Sequence, residues 1–186
     1  DAAGQGVALA EALAGVPGLA ARERQNFAQD TQLSIRGFGA RSTFGVRGLR
    51  LYADGIPATM PDGQGQVSHF VMAGAERIEV MRGPFSALHG NSSGGVVQVT
   101  SAEGQAPTRG HLQASIGRDD ARALTASLRG AGDVLGYALA ASRFQTDGWR
   151  DHSAAERSWL NLKLHAGLPG DGRLVLVGNH FDAPDA

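Results

Sequence analysis

From Leu112 onward the chain repeats one pattern, an apolar residue at every second position in strand-length runs broken by glycine- and aspartate-rich joints. Leu112, Ala114 and Ile116 interleave with Gln113 and Ser115; Leu124, Ala126 and Leu128 with Thr125, Ser127 and Arg129; Leu160, Leu162 and Leu164 with Asn161, Lys163 and His165. A period of two is the period of a strand with one apolar face. It predicts five strands, at 110–118, 121–130, 135–146, 157–167 and 172–181. A soluble sandwich turns such a face inward and a transmembrane barrel turns it toward lipid, and the alternation reads the same in both. The joints favour the barrel. Gly117–Asp120, Gly130–Asp133 and Leu168–Gly172 are tight while Gly148–Glu156 is long and polar, as short turns at one end and longer loops at the other require. Five tilted strands cannot close a barrel, which takes at least about eight. The expectation is therefore an open piece of a larger wall, unfit by itself for water because it exposes an apolar face and an unpaired edge.

The character differs ahead of the breaker-rich linker Glu103-Gly104-Gln105-Ala106-Pro107. Residues 5 to 14 are strong helix formers with Leu9 and Leu13 on one face, and Gly15 with Pro17-Gly18 stops them. Alternation and turn punctuation predict strands at 31–38 and 49–53, a helical turn around Phe70–Ala73 and a strand at 77–82. The densest block follows. Arg77-Ile78-Glu79-Val80-Met81-Arg82-Gly83-Pro84, then Phe85 to Gly90, then Gly94-Gly95-Val96-Val97-Gln98-Val99-Thr100 read as strand, sharp turn, short helix, glycine break and strand. Gly94-Gly95 is expected to mark a close approach between that helix and the strand after it. The result is a small α+β domain whose long connections, 39–48 and 57–68, lack regular structure, a property usual in functional loops.

Gly 27 is about twice average usage and asks for many tight turns. A net charge of −1 gives no electrostatic footprint for nucleic acid. Lys163 is the single lysine among 17 basic residues, so the cations are nearly all planar guanidinium forks suited to bidentate carboxylate pairing. With Cys 0 there is no disulfide framework or thiolate site. No apolar run reaches the 18 or so residues of a spanning helix, and no charged n-region precedes an apolar stretch.

The Arg77–Thr100 block, together with Leu33-Ser34-Ile35-Arg36-Gly37-Phe38-Gly39 and Leu51-Tyr52-Ala53-Asp54-Gly55-Ile56-Pro57, resembles the plug domain of TonB-dependent outer-membrane transporters. The resemblance implies a plug domain over 1–103, a small mixed sheet with short helices. The antiparallel strands over 104–186 would then be the first of a transmembrane β-barrel of roughly 22 strands. It implies a bacterial outer-membrane location, and an export signal and energy-coupling segment ahead of Asp1. Within the family the likeness is closest to the ferric citrate and ferric siderophore type.

Two residue sets follow from that likeness. Arg36 and Arg82, each at a strand end before glycine, stand where the family's arginines pair with barrel-wall carboxylates, and a buried guanidinium needs such a partner. Loops 39–48 and 57–68 stand where the family's plug apices touch ligand. There Arg41 and Arg47 are placed to clamp an anionic chelate, with Thr59, Gln64 and Gln66 supplying neutral hydrogen bonds. The two loops are expected at one end of the domain, opposite Asp1. Tyr137 and Trp149 are candidates for an aromatic girdle, with ordinary packing an equal alternative.

Other chemistries find no support. Gly37-Phe38-Gly39 and Gly63-Gln64-Gly65 lack the continuation of a nucleotide loop. The six histidines (His69, His89, His111, His152, His165, His180) show no metal-binding spacing, and Ser86 with His89 has no nucleophile elbow. No cofactor and no enzymatic activity is expected; iron enters only within a bound chelate. The implied function is TonB-energised uptake of a ferric chelate. A ligand-binding or signal-transducing receptor that does not transport is the alternative, and the sequence ahead of Asp1 separates the two.

Overall fold

The computed structural model describes residues 9–13, 15–22, 30–42, 45–90 and 92–185. The chain divides into two compact units. One is built from residues before 71 together with 77–100, the other from 71–76 and the chain from Ser101 onward.

The first unit runs through α1 (Leu9–Leu13), β1 (Leu19–Arg22), β2 (Gln32–Ile35), β3 (Val46–Arg47), β4 (Leu49–Ala53), β5 (Ile56–Pro57), β6 (Gln64–Gly65), β7 (Ala75–Arg82), α2 (Ser86–His89) and β8 (Gly95–Ser101). Helix α1 buries Leu9, Ala10 and Leu13, the face expected from the i, i+4 spacing; the remainder of 5–14 lies outside the described residues. The main sheet has the order β5-β4-β8-β7. Parallel pairing of β4 with β8 and antiparallel pairing of β4 with β5 make it mixed, as expected. Asp54 and Gly55, at φ 51° and 80°, form the two-residue turn from β4 to β5. Leu33, Ile35, Leu49, Leu51, Val96 and Val97 are fully buried and form the core.

At the start of β8 two glycines are required by space. A side chain at Gly94 would meet Phe38 and Leu49, and one at Gly95, where φ is +148°, would strike the Met81 carbonyl of β7. The close approach inferred from this pair is thus to Phe38 and β7, not to helix α2.

The second unit is an antiparallel meander of β9 (Arg109–Ile116), β10 (Arg122–Ala131), β11 (Leu135–Thr146), β12 (Ala155–Leu168) and β13 (Gly172–Asp185), in spatial order. All five anticipated strands are present, within about four residues of the expected ends. The joints are 117–121, 132–134, 147–154 and 169–171, so the two shortest share one end of the sheet and the two longer ones the other. The sheet is open, with β9 and β13 at its edges.

Register separates two faces. One carries Leu112 and Ile116, Leu124 and Leu128, Leu135 and Leu139, Leu160, and Leu174 and Leu176, each more than 40% exposed. The other carries the buried residues, which are small or polar: Ala123, Ala138, Ala140, Ser142, Asn161 and Lys163 beside Phe144 and Trp159. In water the assignment would be reversed. An exposed leucine face over a buried polar face is the arrangement of a transmembrane wall with lipid outside, and the sandwich alternative falls. From Leu160 to Leu168 the strand rises about 27 Å at ~3.4 Å per residue, or about 20 Å across a bilayer at a ~40° tilt. That is close to the height of an outer-membrane apolar band. Tyr137 lies on the outer face at the short-turn end, with its hydroxyl 3.2 Å from Thr108 Oγ1, a girdle position. Trp149 lies in the 147–154 loop, 60% exposed, under the Arg150 guanidinium 4.6 Å from its ring centre.

The faces predict opposite responses to charge. Leu139→Arg, on the leucine face, should destabilise the whole protein in lipid vesicles by about 2–4 kcal/mol, whereas Ser115→Arg, on the polar face, should cost much less. Denaturant unfolding in vesicles measures both, and equal losses would contradict the assignment of faces.

Candidate functional site

The two loops singled out in the sequence come together in the first unit. β3 pairs antiparallel with β6, setting Val46 opposite Gly65 and Arg47 opposite Gln64. This contact depends on glycine. At Gly45, with φ 59°, a side chain would strike the Gly65 carbonyl; at Gly65 it would meet Leu51 at 2.7 Å and Thr59 at 2.9 Å. The second loop is folded on itself, with Met60 N donating to Gln64 O at 2.7 Å, Gly63 N to Met60 O at 2.9 Å and Gln64 N to Asp62 Oδ1 at 3.0 Å. The first loop is tied to β2 through Gln32 Nε2, which donates to Ala40 O at 2.7 Å.

Arg47 and Asp62 form a loose ion pair at 3.7 Å, both more than half exposed. Arg41 and Gln66 are exposed and Gln64 is half-buried. Among the described residues Arg41 has no ion-pair partner. Thr59 is buried at 8%, its methyl toward Gly65 and its hydroxyl without a hydrogen-bond partner. It lies beneath the surface that Arg47 and Gln64 present. Phe38 and Met60 add exposed apolar area, 47% and 63%. The position of Asp1 lies outside the described residues.

Of the two strand-end arginines, Arg36 is exposed and left-handed at φ 51° in the turn closed by Phe38 N to Ile35 O at 2.9 Å. The Arg82 guanidinium donates to the Pro17 carbonyl.

Sequence reasoning missed a support under the second loop. Asp30 accepts from Val67 N at 2.7 Å and from Thr31 N at 2.9 Å, pinning the chain just beyond Gln66. Burial pushes the Asp30 carboxyl up from its usual value, against the opposing pull of the Val67, Thr31 and Ser68 amides and of His69. Burial likewise pushes the His69 imidazole down, with Asp30 opposing.

It also missed the ion pairs of the second unit. Lys163, 5% exposed, lies 3.5 Å from Glu103 Oε1 and donates to Ser101 O at 3.2 Å, while Arg173 donates to Glu103 Oε2 at 2.8 Å. The Arg173 hydrogen bond is the main reason the Glu103 carboxyl is held below its usual value. Glu76, on the 71–76 segment, lies 3.4 Å from Arg129, and Gly74 packs against Ala140 and Asn161. Short carboxylate-bearing segments thus sit on cations of the polar face.

The model of the TonB-dependent receptor plug domain family matches residues 2–97. The chain belongs to the TonB-dependent receptors. It is 32% identical over 130 residues to the ferrioxamine receptor of Yersinia enterocolitica, covering 67% of this chain and 17% of that protein. Its fold is shared with the ferric yersiniabactin uptake receptor of Yersinia pestis, at TM-score 0.73 and 20% identity over 91% of this chain and 28% of that one. The same holds for the pyoverdine outer-membrane receptor of Pseudomonas aeruginosa PAO1, at TM-score 0.77 and 19% identity over 96% and 26%. The chain therefore spans about a sixth of the curated relative and about a quarter of the solved receptors. As a TonB-dependent receptor it is an outer-membrane protein, with a plug fold followed by strands of the barrel wall.

The Asp30–His69 pair gives this receptor a pH signature. A carboxyl raised by burial contributes stability that is present below its unfolded value of 3.8 and lost as pH rises through the folded value; an imidazole lowered by burial contributes above 6.5 and loses as pH falls. The two oppose each other on acidification. In His69→Gln, amide protection at Val67 and Ser68 should rise as pH falls from 7 toward 4, and in Asp30→Asn it should fall. Hydrogen exchange on the two variants reads both slopes, and parallel slopes would contradict the assignment.

Proposed function

We propose that the receptor takes up a ferric chelate of the siderophore class across the outer membrane, with TonB supplying the energy, no catalytic step, and iron only as cargo. The named relatives support this choice, being receptors for ferrioxamine, ferric yersiniabactin and pyoverdine. The observation that carries the site is the β3–β6 pairing, which brings a guanidinium, a carboxamide and a carboxylate to one edge where two loops meet. In this reading Arg41 and Arg47 hold the anionic oxygens of the chelate, Gln64 and Gln66 its neutral polar groups, and Thr59 supports Gly65 from below. Arg36 and Arg82 act at strand ends as contacts to the barrel wall. Asp62 competes with the ligand for Arg47. An exposed pair at 3.7 Å contributes about 0–1 kcal/mol, while a charge-assisted ligand contact contributes about 1.5–3, so ligand displaces Asp62.

In the whole receptor, Arg41→Ala with Arg47→Ala should weaken binding of an anionic ferric siderophore about ten- to a hundred-fold, with salt weakening the wild type further. Asp62→Asn should leave affinity unchanged or raise it. Titrations with ferric citrate, a ferric hydroxamate and a ferric catecholate at low and high salt check this. Unaltered affinity in the double variant, or a ligand of neutral or cationic charge, would remove the arginines from the site.

A further inference from the structure

The polar face of the wall carries a row of cations that the loop site does not use. Arg109 stands directly opposite Arg129, Arg129 opposite Ala138, and Ala138 opposite Lys163, so one row across four strands holds three cations. Arg173 stands on the same face of β13, opposite Gly167. The adjoining row reads His111, Ser127, Ala140, Asn161 and Asn179. Like charges directly opposite on one face of an antiparallel pair destabilise it. Among the described residues, two carboxylates pair with these four cations: Glu76 with Arg129, and Glu103 with both Lys163 and Arg173. Arg109 has no ion-pair partner among the described residues.

The row borders a cavity of about 460 Å³, bounded by Arg109, Arg129, His111, Ser127, Asn161 and Glu76. Much of the rest of its wall is alanine and glycine, including Ala73, Gly74, Ala102, Ala138 and Ala140, too small to fill it. Two guanidinium forks, an imidazole, a hydroxyl and a carboxamide around unfilled volume form a donor-rich pocket for oxygen anions.

We propose that this cavity is a second anion subsite, in which Arg109 and Arg129 hold a carboxylate or similar oxyanion group of the ferric chelate independently of the loop residues. It rests on the reading that the cargo is an anionic chelate. Arg109 is the primary ligand because no carboxylate pairs with it among the described residues, and Arg129, shared with Glu76 at 3.4 Å, is the secondary one. Ser127 and Asn161 add neutral hydrogen bonds.

The test uses the whole receptor in the Arg41→Ala, Arg47→Ala background, where the loop arginines are removed, with iron-free citrate as probe. Equilibrium dialysis of labelled citrate should show binding that Arg109→Gln weakens about ten-fold or more and Arg109→Lys partly restores, with affinity falling as salt rises. Removing one of two facing cations should not unfold the sheet, and native electrophoretic mobility of the folded barrel checks that it has not. Citrate binding that is absent in the background, or that is the same with Arg109→Gln, overturns the subsite. The two readings fail separately: a receptor whose chelate affinity ignores Arg41 and Arg47 loses the loop site, while citrate retention by Arg109 is read independently of it.

Discussion

Hydrocarbon offers a backbone no hydrogen-bond partner, and the second unit is organised around that constraint. Every strand between β9 and β13 pairs on both sides, and the leucine face points outward where a water-soluble sheet would bury it. Once that face is committed to lipid, all polarity falls on the other. Beside Phe144 and Trp159, the buried positions there are mostly alanine, serine, threonine, asparagine or a cation, and a polar interior must be hydrogen-bonded to be tolerable. Asn161 and Asn179 bond to each other across β12 and β13 at 2.7 Å, and Thr125 and Ser142 across β10 and β11 at 3.0 Å.

The same constraint governs where the charges go. A cation on the polar face is only partly solvated, so Arg129, Lys163 and Arg173 approach the carboxylates that short neighbouring segments offer: Glu76 at the start of β7, and Glu103 just beyond β8. This is the reverse polarity of the pairing expected from the plug arginines, with acids on the short segments and bases on the wall. One carboxylate holds two cations, and the chain leaves β8 at the residue whose carbonyl receives the Lys163 ammonium.

How far the sequence reached follows from what each feature depends on. The wall strands were legible because a period of two over a long run has one structural meaning, and the Asp54-Gly55 turn because few residues tolerate φ > 0. The mixed sheet followed from the family's blocks rather than from periodicity. What stayed hidden was non-local. Two-residue strands β3 and β6 carry no periodicity, and their pairing is marked only by Gly45 and Gly65, whose need for absent side chains appears once the loops touch. Likewise Asp30 reads as an ordinary loop acid until Val67, far along the chain, donates to it. Strand β1, Leu-Ala-Ala-Arg, has helix-forming composition and becomes a strand through its pairing with β2.

The single lysine shows how residue type follows from site. Elsewhere the cations are arginines, whose planar forks suit surface carboxylates such as Glu156, 2.6 Å from Arg143. Lys163 occupies a position 5% exposed, between the Ser101 carbonyl and Glu103 Oε1, while Arg173 holds Oε2 from the side. A second fork has no free oxygen pair to grip there, and its width would have to be accommodated against Ala138, directly opposite in register. A compact ammonium on a flexible stem can donate to a carbonyl and a carboxylate at once. The lysine thus suits a place where a nearly buried cation meets a carbonyl and a carboxylate already shared with Arg173. That geometry also makes it a poor place to exchange lysine for arginine despite equal charge.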